Sequence, residues 1–153
     1  MLNDLVKQKI TAKMETDHPE AVAIEALHIV RNHYGWISDE LVRDVATLLD
    51  VDPTELDGTA TFYNHLYRKP VGRHVILVCD SVACWIMGYE SLVEHLTRRL
   101  SIRMGETTAD GRFTLLPIQC LGSCHSAPAI MIDEDLHEKL DEQKLDAILA
   151  QYP

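Results

Sequence analysis

The four cysteines constrain this chain more than any other feature, because they stand in two close pairs. Cys79 and Cys84 are separated by four residues, and Cys120 and Cys124 by three. Each pair begins where a strand is predicted to end and continues into a loop of small residues. If the two strands are neighbours in one sheet, all four thiolates lie at one rim. Four thiolates on an uncharged loop surface suit a [2Fe–2S] cluster.

Other uses of the cysteines fit this spacing less well. Zinc sites built from cysteine usually have two residues between paired ligands, so zinc stays as an alternative rather than the first choice. Two disulfides need an oxidising compartment, and the N-terminal residues show no signal-peptide pattern. A thioredoxin-type dithiol and a haem-attachment motif also need two intervening residues, and neither pair has that spacing.

The charge of the chain limits its partners. The 153 residues include 24 acids and 14 bases, for a net charge of −10. Binding to nucleic acid or to an anionic membrane surface relies on Lys and Arg, so we expect neither. Residues 113–132 contain no Asp, Glu, Lys or Arg, but Pro117 and Pro128 would break a membrane-spanning helix there. We therefore expect no direct membrane insertion and a cytosolic location.

Residues 1–70 are predicted to form three amphipathic helices in a small bundle. The expected N-caps are Asp17 or His18 for the first helix, Ser38 for the second and Asp52 for the third. Gly35 would end the first helix, and the third would continue through Tyr67 to Pro70. The aromatic residues are mostly core candidates, and some are candidate interface anchors: Trp36, Phe62, Tyr63 and Tyr67.

Residues 71–153 show a different pattern, in which short apolar runs alternate with helical periodicity. Strands are predicted at 74–79, 113–116 and 129–132, with one helix around 92–100 and another around 145–152. This order describes a small α/β layer structure. The predicted class is therefore α+β, with a helical bundle at 1–70 and an α/β domain carrying the cluster at 71–153.

Several sequence blocks together resemble one known family. They are Ala-Thr-Phe-Tyr at 60–63, Lys-Pro-Val-Gly-Arg at 69–73, Val-Cys-Asp-Ser at 78–81, the segment 105–115 and Cys-Leu-Gly-Ser-Cys at 120–124. The blocks and their order are similar to those of the 24-kDa family, the subunit designated E in bacterial respiratory NADH:quinone oxidoreductase (complex I). The resemblance runs from about Pro19 to the C-terminus.

The resemblance implies a thioredoxin-like fold for residues 71–153, preceded by a helical bundle that we interpret as an element for docking to another subunit. It also implies that one [2Fe–2S] cluster is bound by Cys79, Cys84, Cys120 and Cys124. Two positions differ from the commonest form of the family. Gln119 stands where Glu is frequent before the third ligand, and His125 follows the fourth.

The expected function follows from how electrons leave NADH. A hydride carries two electrons and an iron–sulfur cluster accepts one, so a flavin must separate them. The chain has no G-x-G-x-x-G motif, and we expect it to bind neither flavin nor dinucleotide alone. The resemblance implies that a partner subunit binds FMN and NADH, and that this cluster exchanges one electron with the FMN. The chain would then be an electron-transfer subunit of NADH dehydrogenase, not catalytic alone.

The implied location is the peripheral arm of complex I, on the cytoplasmic side of the inner membrane, beside the remaining peripheral-arm subunits. One alternative assembly is a soluble NAD-linked hydrogenase or formate dehydrogenase that contains the equivalent subunit. A different class of protein is a zinc-stabilised, redox-silent scaffold subunit. A free-standing ferredoxin is a third possibility, although about 70 helical residues attached to a small cluster domain favour docking to a partner.

Two further features bear on the cluster. His125 is adjacent to Cys124, where it could donate a hydrogen bond to a cluster sulfur, or it could simply face solvent or the partner. Residues 133–146 contain seven acids and two lysines. Such a run is usually a solvated face, although acidic groups near a cluster also disfavour the addition of an electron.

Overall fold

The computed structural model describes residues 1–14 and 18–153 and separates them into two units, Met1–Pro70 and Val71–Pro153. The first unit contains four helices: α1 (Asp4–Met14), α2 (Pro19–Tyr34), α3 (Asp39–Leu49) and α4 (Pro53–Phe62). One apolar cluster joins the four helices, and its fully buried members include Ile10, Leu27, Val45 and Leu49. The predicted helical bundle is therefore present, with one helix more than expected.

Local capping signals set the helix ends in this unit. The Ser38 hydroxyl accepts a hydrogen bond from the Leu41 N–H at 3.3 Å, and the Asp52 carboxylate accepts from Thr54 and Glu55. Gly35, with φ of 83°, ends α2 in a conformation that glycine adopts without strain. His18 occupies the N-cap position of α2. The other predicted cap, Asp17, lies outside the described residues.

The structure corrects three predictions for this unit. Helix α1 was not expected, because only Val6 and Ile10 of its residues are buried and its apolar stripe is narrow. Helix α4 ends at Phe62 and does not continue to Pro70. Phe62 is 78% exposed, so it does not belong to the core, whereas Tyr67 is buried as predicted.

Ion pairs hold the segment that follows α4. The Arg68 guanidinium donates hydrogen bonds to Asp57 at 3.0 Å and to Asp39 at 2.6 Å, and another to the carbonyl oxygen of Ile37. These bonds tie residues 63–70 to α3 and α4 without a further helical turn. Tyr67 is therefore buried from an irregular segment and not from a helix, whereas Tyr63 is 39% exposed.

The second unit is a mixed sheet with helices. Its elements are β1 (His74–Cys79), α5 (Val82–Ile86), α6 (Tyr89–Leu100), β2 (Phe113–Ile118), β3 (Ile130–Ile132), β4 (Asp135–His137) and α7 (Glu142–Leu149). The four strands lie in the order β2-β1-β3-β4. Strands β1 and β2 are parallel, while β3 pairs antiparallel with both β1 and β4. Fully buried side chains such as Ile76, Leu96, Leu115 and Leu145 form its core.

Two short elements of this unit were not predicted. Helix α5 has five residues, and β4 has three residues within the acidic run. Elements of this length give too few residues for a periodic pattern. The interpretation of 133–146 as a solvated face is incomplete, because Asp133 accepts hydrogen bonds from His74 and Val75 of β1, and Asp146 from His95 and Arg99 of α6.

Candidate functional site: a cysteine rim

The two cysteine pairs follow neighbouring parallel strands. Cys79 is the last residue of β1 and lies opposite Ile118, the last residue of β2. Cys120 comes two residues after that strand ends, so both loops leave the same edge of the sheet. Cys84 lies on α5, which contacts the 3₁₀ turn that begins at Cys124. The structure thus brings together the four residues that the spacing selected.

The cysteines differ in exposure. Cys79 and Cys84 are 3% and 1% exposed, while Cys120 and Cys124 are exposed. The first pair therefore forms the floor of the site, and the second pair lies at its open side. A group held by all four cysteines would therefore lie between a buried pair and an exposed pair.

The sulfurs are arranged as two pairs. The Cys120 and Cys124 sulfurs are 3.7 Å apart, and Cys79 and Cys84 are close enough for each to shift the pKa of the other. A [2Fe–2S] cluster takes four thiolates, two at each iron, and the rim presents four cysteines as two pairs. The donor arrangement fits the cluster.

Hydrogen-bond donors surround the sulfurs. The Ser81 hydroxyl oxygen is 3.3 Å from the Cys79 sulfur, in hydrogen-bond contact with it. The Gly122 N–H donates to the Cys120 sulfur at 3.3 Å, and Gly122 has φ of 81°, which favours glycine there. Such donors stabilise thiolates and tune the electronic properties of a bound cluster.

The pKa values of the free thiols follow from this pairing. Burial opposes ionisation of Cys79, but bonds from the Ser81 hydroxyl and from the Ser81 and Leu121 N–H groups outweigh it and lower the pKa. Burial and the neighbouring Cys79 raise the pKa of Cys84. The hydrogen bond from Cys120 raises the pKa of Cys124.

The two positions that depart from the family pattern lie at the edge of the site. Gln119 and His125 are both exposed. The exposure of His125 fits a residue that faces solvent or a partner. A hydrogen bond from His125 to a cluster sulfur stays a prediction. Among the other histidines, His95 is 8% exposed and bonds with Asp146, which gives it a structural role between α6 and α7.

Sequence reasoning missed two polar residues of the site. Ser81 lies between Cys79 and Cys84, and this position in the sequence could have indicated a hydroxyl close to the sulfurs. Glu138 accepts a hydrogen bond from the buried Ser123 hydroxyl in the second loop. Glu138 is fifteen residues beyond Ser123, and no local pattern connects them.

Comparison with known proteins identifies the family. The model of the thioredoxin-like [2Fe–2S] ferredoxin family matches residues 7–153. The NADH-quinone oxidoreductase subunit designated E in Pseudomonas aeruginosa is 46% identical over 136 residues, which are 89% of this chain and 82% of that protein. Its namesake in Escherichia coli K12 gives the same identity and coverage.

Solved structures support the same fold. The air-oxidized NAD⁺-reducing [NiFe]-hydrogenase matches with a TM-score of 0.72 and 29% identity. The match covers 86% of this chain but 23% of the hydrogenase chain. Separately, every helix within the described ranges 1–14 and 18–153 is too short or too polar to cross a bilayer.

These matches confirm the predicted thioredoxin-like fold, the [2Fe–2S] cofactor and the resemblance to an iron–sulfur subunit of NADH:quinone oxidoreductase. The assignment of individual cysteines as ligands stays a prediction, and so do the identity of the partner subunit and the location. The chain belongs to the thioredoxin-like [2Fe–2S] ferredoxin family.

Proposed function

We propose that Cys79, Cys84, Cys120 and Cys124 hold one [2Fe–2S] cluster that exchanges one electron with FMN on a neighbouring NADH-binding subunit of NADH:quinone oxidoreductase. One observation carries the proposal. Two cysteine pairs leave the same edge of two adjacent parallel strands, and their sulfurs lie in two groups. When bound, a [2Fe–2S] cluster supplies one-electron oxidation and reduction. The relatives named as NADH-quinone oxidoreductase subunits support the assembly.

The chain's own residues would fix and shield this site. Strand β1 and helix α5 bury Cys79 and Cys84, which keeps water from one side. The Gly122 N–H donates to the Cys120 sulfur, and the Ser81 hydroxyl, which accepts from the Cys79 thiol in the free protein, would donate to the Cys79 thiolate when a cluster is bound. Hydrogen-bond donors and the exclusion of water are two of the means by which a protein sets the potential of such a site.

A partner would dock beside Cys84. Four apolar side chains on or next to α5 are exposed, and they flank the buried Cys84: Val82 (75%), Trp85 (58%), Ile86 (72%) and Met87 (59%). Such a patch on one short helix is typical of an interaction site. Because an electron donor must approach the cluster closely, we assign this α5 patch to the flavin-bearing subunit.

The proposed place of the chain is the peripheral arm of complex I on the cytoplasmic side of the inner membrane, among the remaining peripheral-arm subunits. The net charge of −10 supports contact with proteins rather than with an anionic lipid surface. A second candidate assembly is a soluble NAD-linked hydrogenase, which the hydrogenase match favours. Identification of the proteins that co-purify with the chain separates the two.

The cluster is tested by chemical analysis and spectroscopy of the purified chain. We expect about two irons and two acid-labile sulfides per chain, with an EPR signal after dithionite reduction. Replacing each cysteine in turn with Ala should abolish the signal, whereas Ser91→Ala on the exposed surface of α6 should keep it. Zinc without iron or sulfide, or no signal with dithionite, would contradict the proposal.

A further inference from the structure

A carboxylate contacts the second cysteine loop from below the rim. The Ser123 hydroxyl donates a hydrogen bond to the Glu138 carboxylate, and Ser123 is 5% exposed. Ser123 directly precedes Cys124, while Glu138 comes just after β4. A buried hydroxyl needs a partner, and here that partner is a half-buried carboxylate. The contact joins a candidate ligand loop to a segment that has no cysteine.

Further hydrogen bonds run between the same two segments. The Lys139 N–H donates to the Ser126 carbonyl oxygen at 2.8 Å, and the Leu140 N–H donates to the Pro128 carbonyl oxygen at 3.3 Å. Lys139 has φ of 50°, a left-handed conformation held by these bonds. Residues 138–140 thus form a brace along the loop that begins at Cys120. The Glu138 side chain supplies the contact nearest to Cys124.

The positive charge of Lys144 is directed at the main chain of Glu138 and not at its carboxylate. The Lys144 ammonium donates to the main-chain oxygen of Glu138 at 2.6 Å, while the carboxylate is engaged by the neutral Ser123 hydroxyl. A negative charge close to a cluster makes the addition of an electron less favourable, and the effect grows in a partly buried site.

We propose that Glu138 is a positioning residue of the cluster site: through Ser123 it fixes the Cys120–Cys124 loop, and its charge lowers the reduction potential of the bound cluster. The inference rests on the proposed function, because it requires a cluster at these cysteines. It makes two separable claims, one about the hydrogen bond and one about the charge.

The charge is tested with Glu138→Gln in the holoprotein. The amide oxygen can still accept from Ser123, so we expect full iron and sulfide content and a higher midpoint potential in an EPR-monitored redox titration. Glu134→Gln is the matched control, because Glu134 is exposed in the turn between β3 and β4. Equal potentials in Glu138→Gln and wild type, or equal shifts in the two variants, would overturn the charge claim.

The hydrogen bond is tested with Ser123→Ala, by the rate at which a chelator removes iron. Loss of such a supporting contact should accelerate release roughly tenfold or more. Glu138→Ala should give a similar acceleration, and the double variant should be no faster than either single variant. Additive rates, or release at the wild-type rate in Ser123→Ala, would overturn the positioning claim. Glu138→Asp keeps the charge with a shorter reach, so it should retain a low potential while releasing iron faster.

Failure of the proposed function and failure of the Glu138 role give different experimental results. If the wild-type chain binds no iron and sulfide, the proposed function itself is wrong. If the wild type and all variants carry a full cluster with the same potential and the same release rate, the proposed function stands and the role of Glu138 is rejected. Circular dichroism of each variant establishes that the fold is kept.

Discussion

The hydroxyl oxygen of Ser81 lies 3.3 Å from the Cys79 sulfur, in hydrogen-bond contact with it. The Cys79 thiol donates to this oxygen in the free protein, and the hydroxyl proton can point at the sulfur once the thiol is ionised. This relationship connects a local sequence feature to the electronic properties of the site.

Ser81→Ala should lower the midpoint potential of the bound cluster while iron and sulfide content stay near wild type. A hydrogen-bond donor stabilises the more negative reduced form, so its removal makes reduction harder. The measurement is a redox titration followed by EPR. Ser81→Thr keeps the hydroxyl and should restore the potential, and Ser91→Ala on the exposed surface of α6 is the control. An unchanged potential in a fully loaded Ser81→Ala protein would disprove this role.

Ile86→Glu should weaken binding of the flavin-bearing subunit by about tenfold or more. Ile86 is 72% exposed in the α5 patch, so a charge there does not disturb the core but would be buried in the proposed interface. Co-purification of the partner measures the loss, with iron content as the check on the site. Leu136→Glu, at a 42% exposed side chain on β4, is the matched control. Equal recovery of the partner with both variants would exclude the α5 patch as the docking surface.

Much of the fold was predictable because its signals are local. Ser38 and Asp52 are capping residues within three positions of the N–H groups that they bind. The apolar runs of β1 and β2 likewise predicted buried strands that the structure confirms. Short elements were missed, because α5 and β4 have five and three residues and show no complete period. Helix α1 was missed because its buried face is narrow.

The site also has features that local sequence predicts and others that it does not. The spacing of the cysteines indicated a common rim, since β1 and β2 needed only to be parallel neighbours for the pairs to meet. The contact between Glu138 and Ser123 could not be predicted from residue spacing, because it depends on how the chain folds between these two positions. Phe62 was misplaced for a related reason: helical periodicity gives the face of a helix but not where α4 stops. Long-range contacts and element ends are therefore what the sequence left undetermined.

Leu115→Ala should destabilise the second unit by about 2–5 kcal/mol. Leu115 is fully buried in β2 and lies beside Ile76 of β1, so truncation leaves a cavity in the sheet that carries both cysteine loops. Scanning calorimetry at one fixed scan rate should show a lower Tm. Leu136→Ala, at an exposed position on β4, should change the Tm little. Similar Tm values for the two variants would show that the β1–β2 contact is not the core of this unit.

Asp146 should make the stability of the second unit depend on pH. Its carboxylate accepts hydrogen bonds from His95 and Arg99 of α6, each at 3.1 Å, and these bonds lower its pKa below the ordinary value. A lowered folded-state pKa stabilises the fold above the unfolded pKa of about 3.9, and the contribution is lost as pH falls through the folded value. Asp146→Asn should therefore be less stable than wild type at pH 7, and the difference should shrink below about pH 4.

Urea unfolding followed by circular dichroism, from pH 7 down to about 3, measures this difference. Glu134→Gln removes an exposed carboxylate from the same acidic run and should follow the wild-type curve throughout. Because Asp146 lies on α7 and its partners on α6, the pH-dependent loss should appear as loosening of these two helices. If the free energies of unfolding of Asp146→Asn and wild type differ by the same amount at every pH, the substitution acts through packing. The ion pair of Asp146 would then contribute nothing.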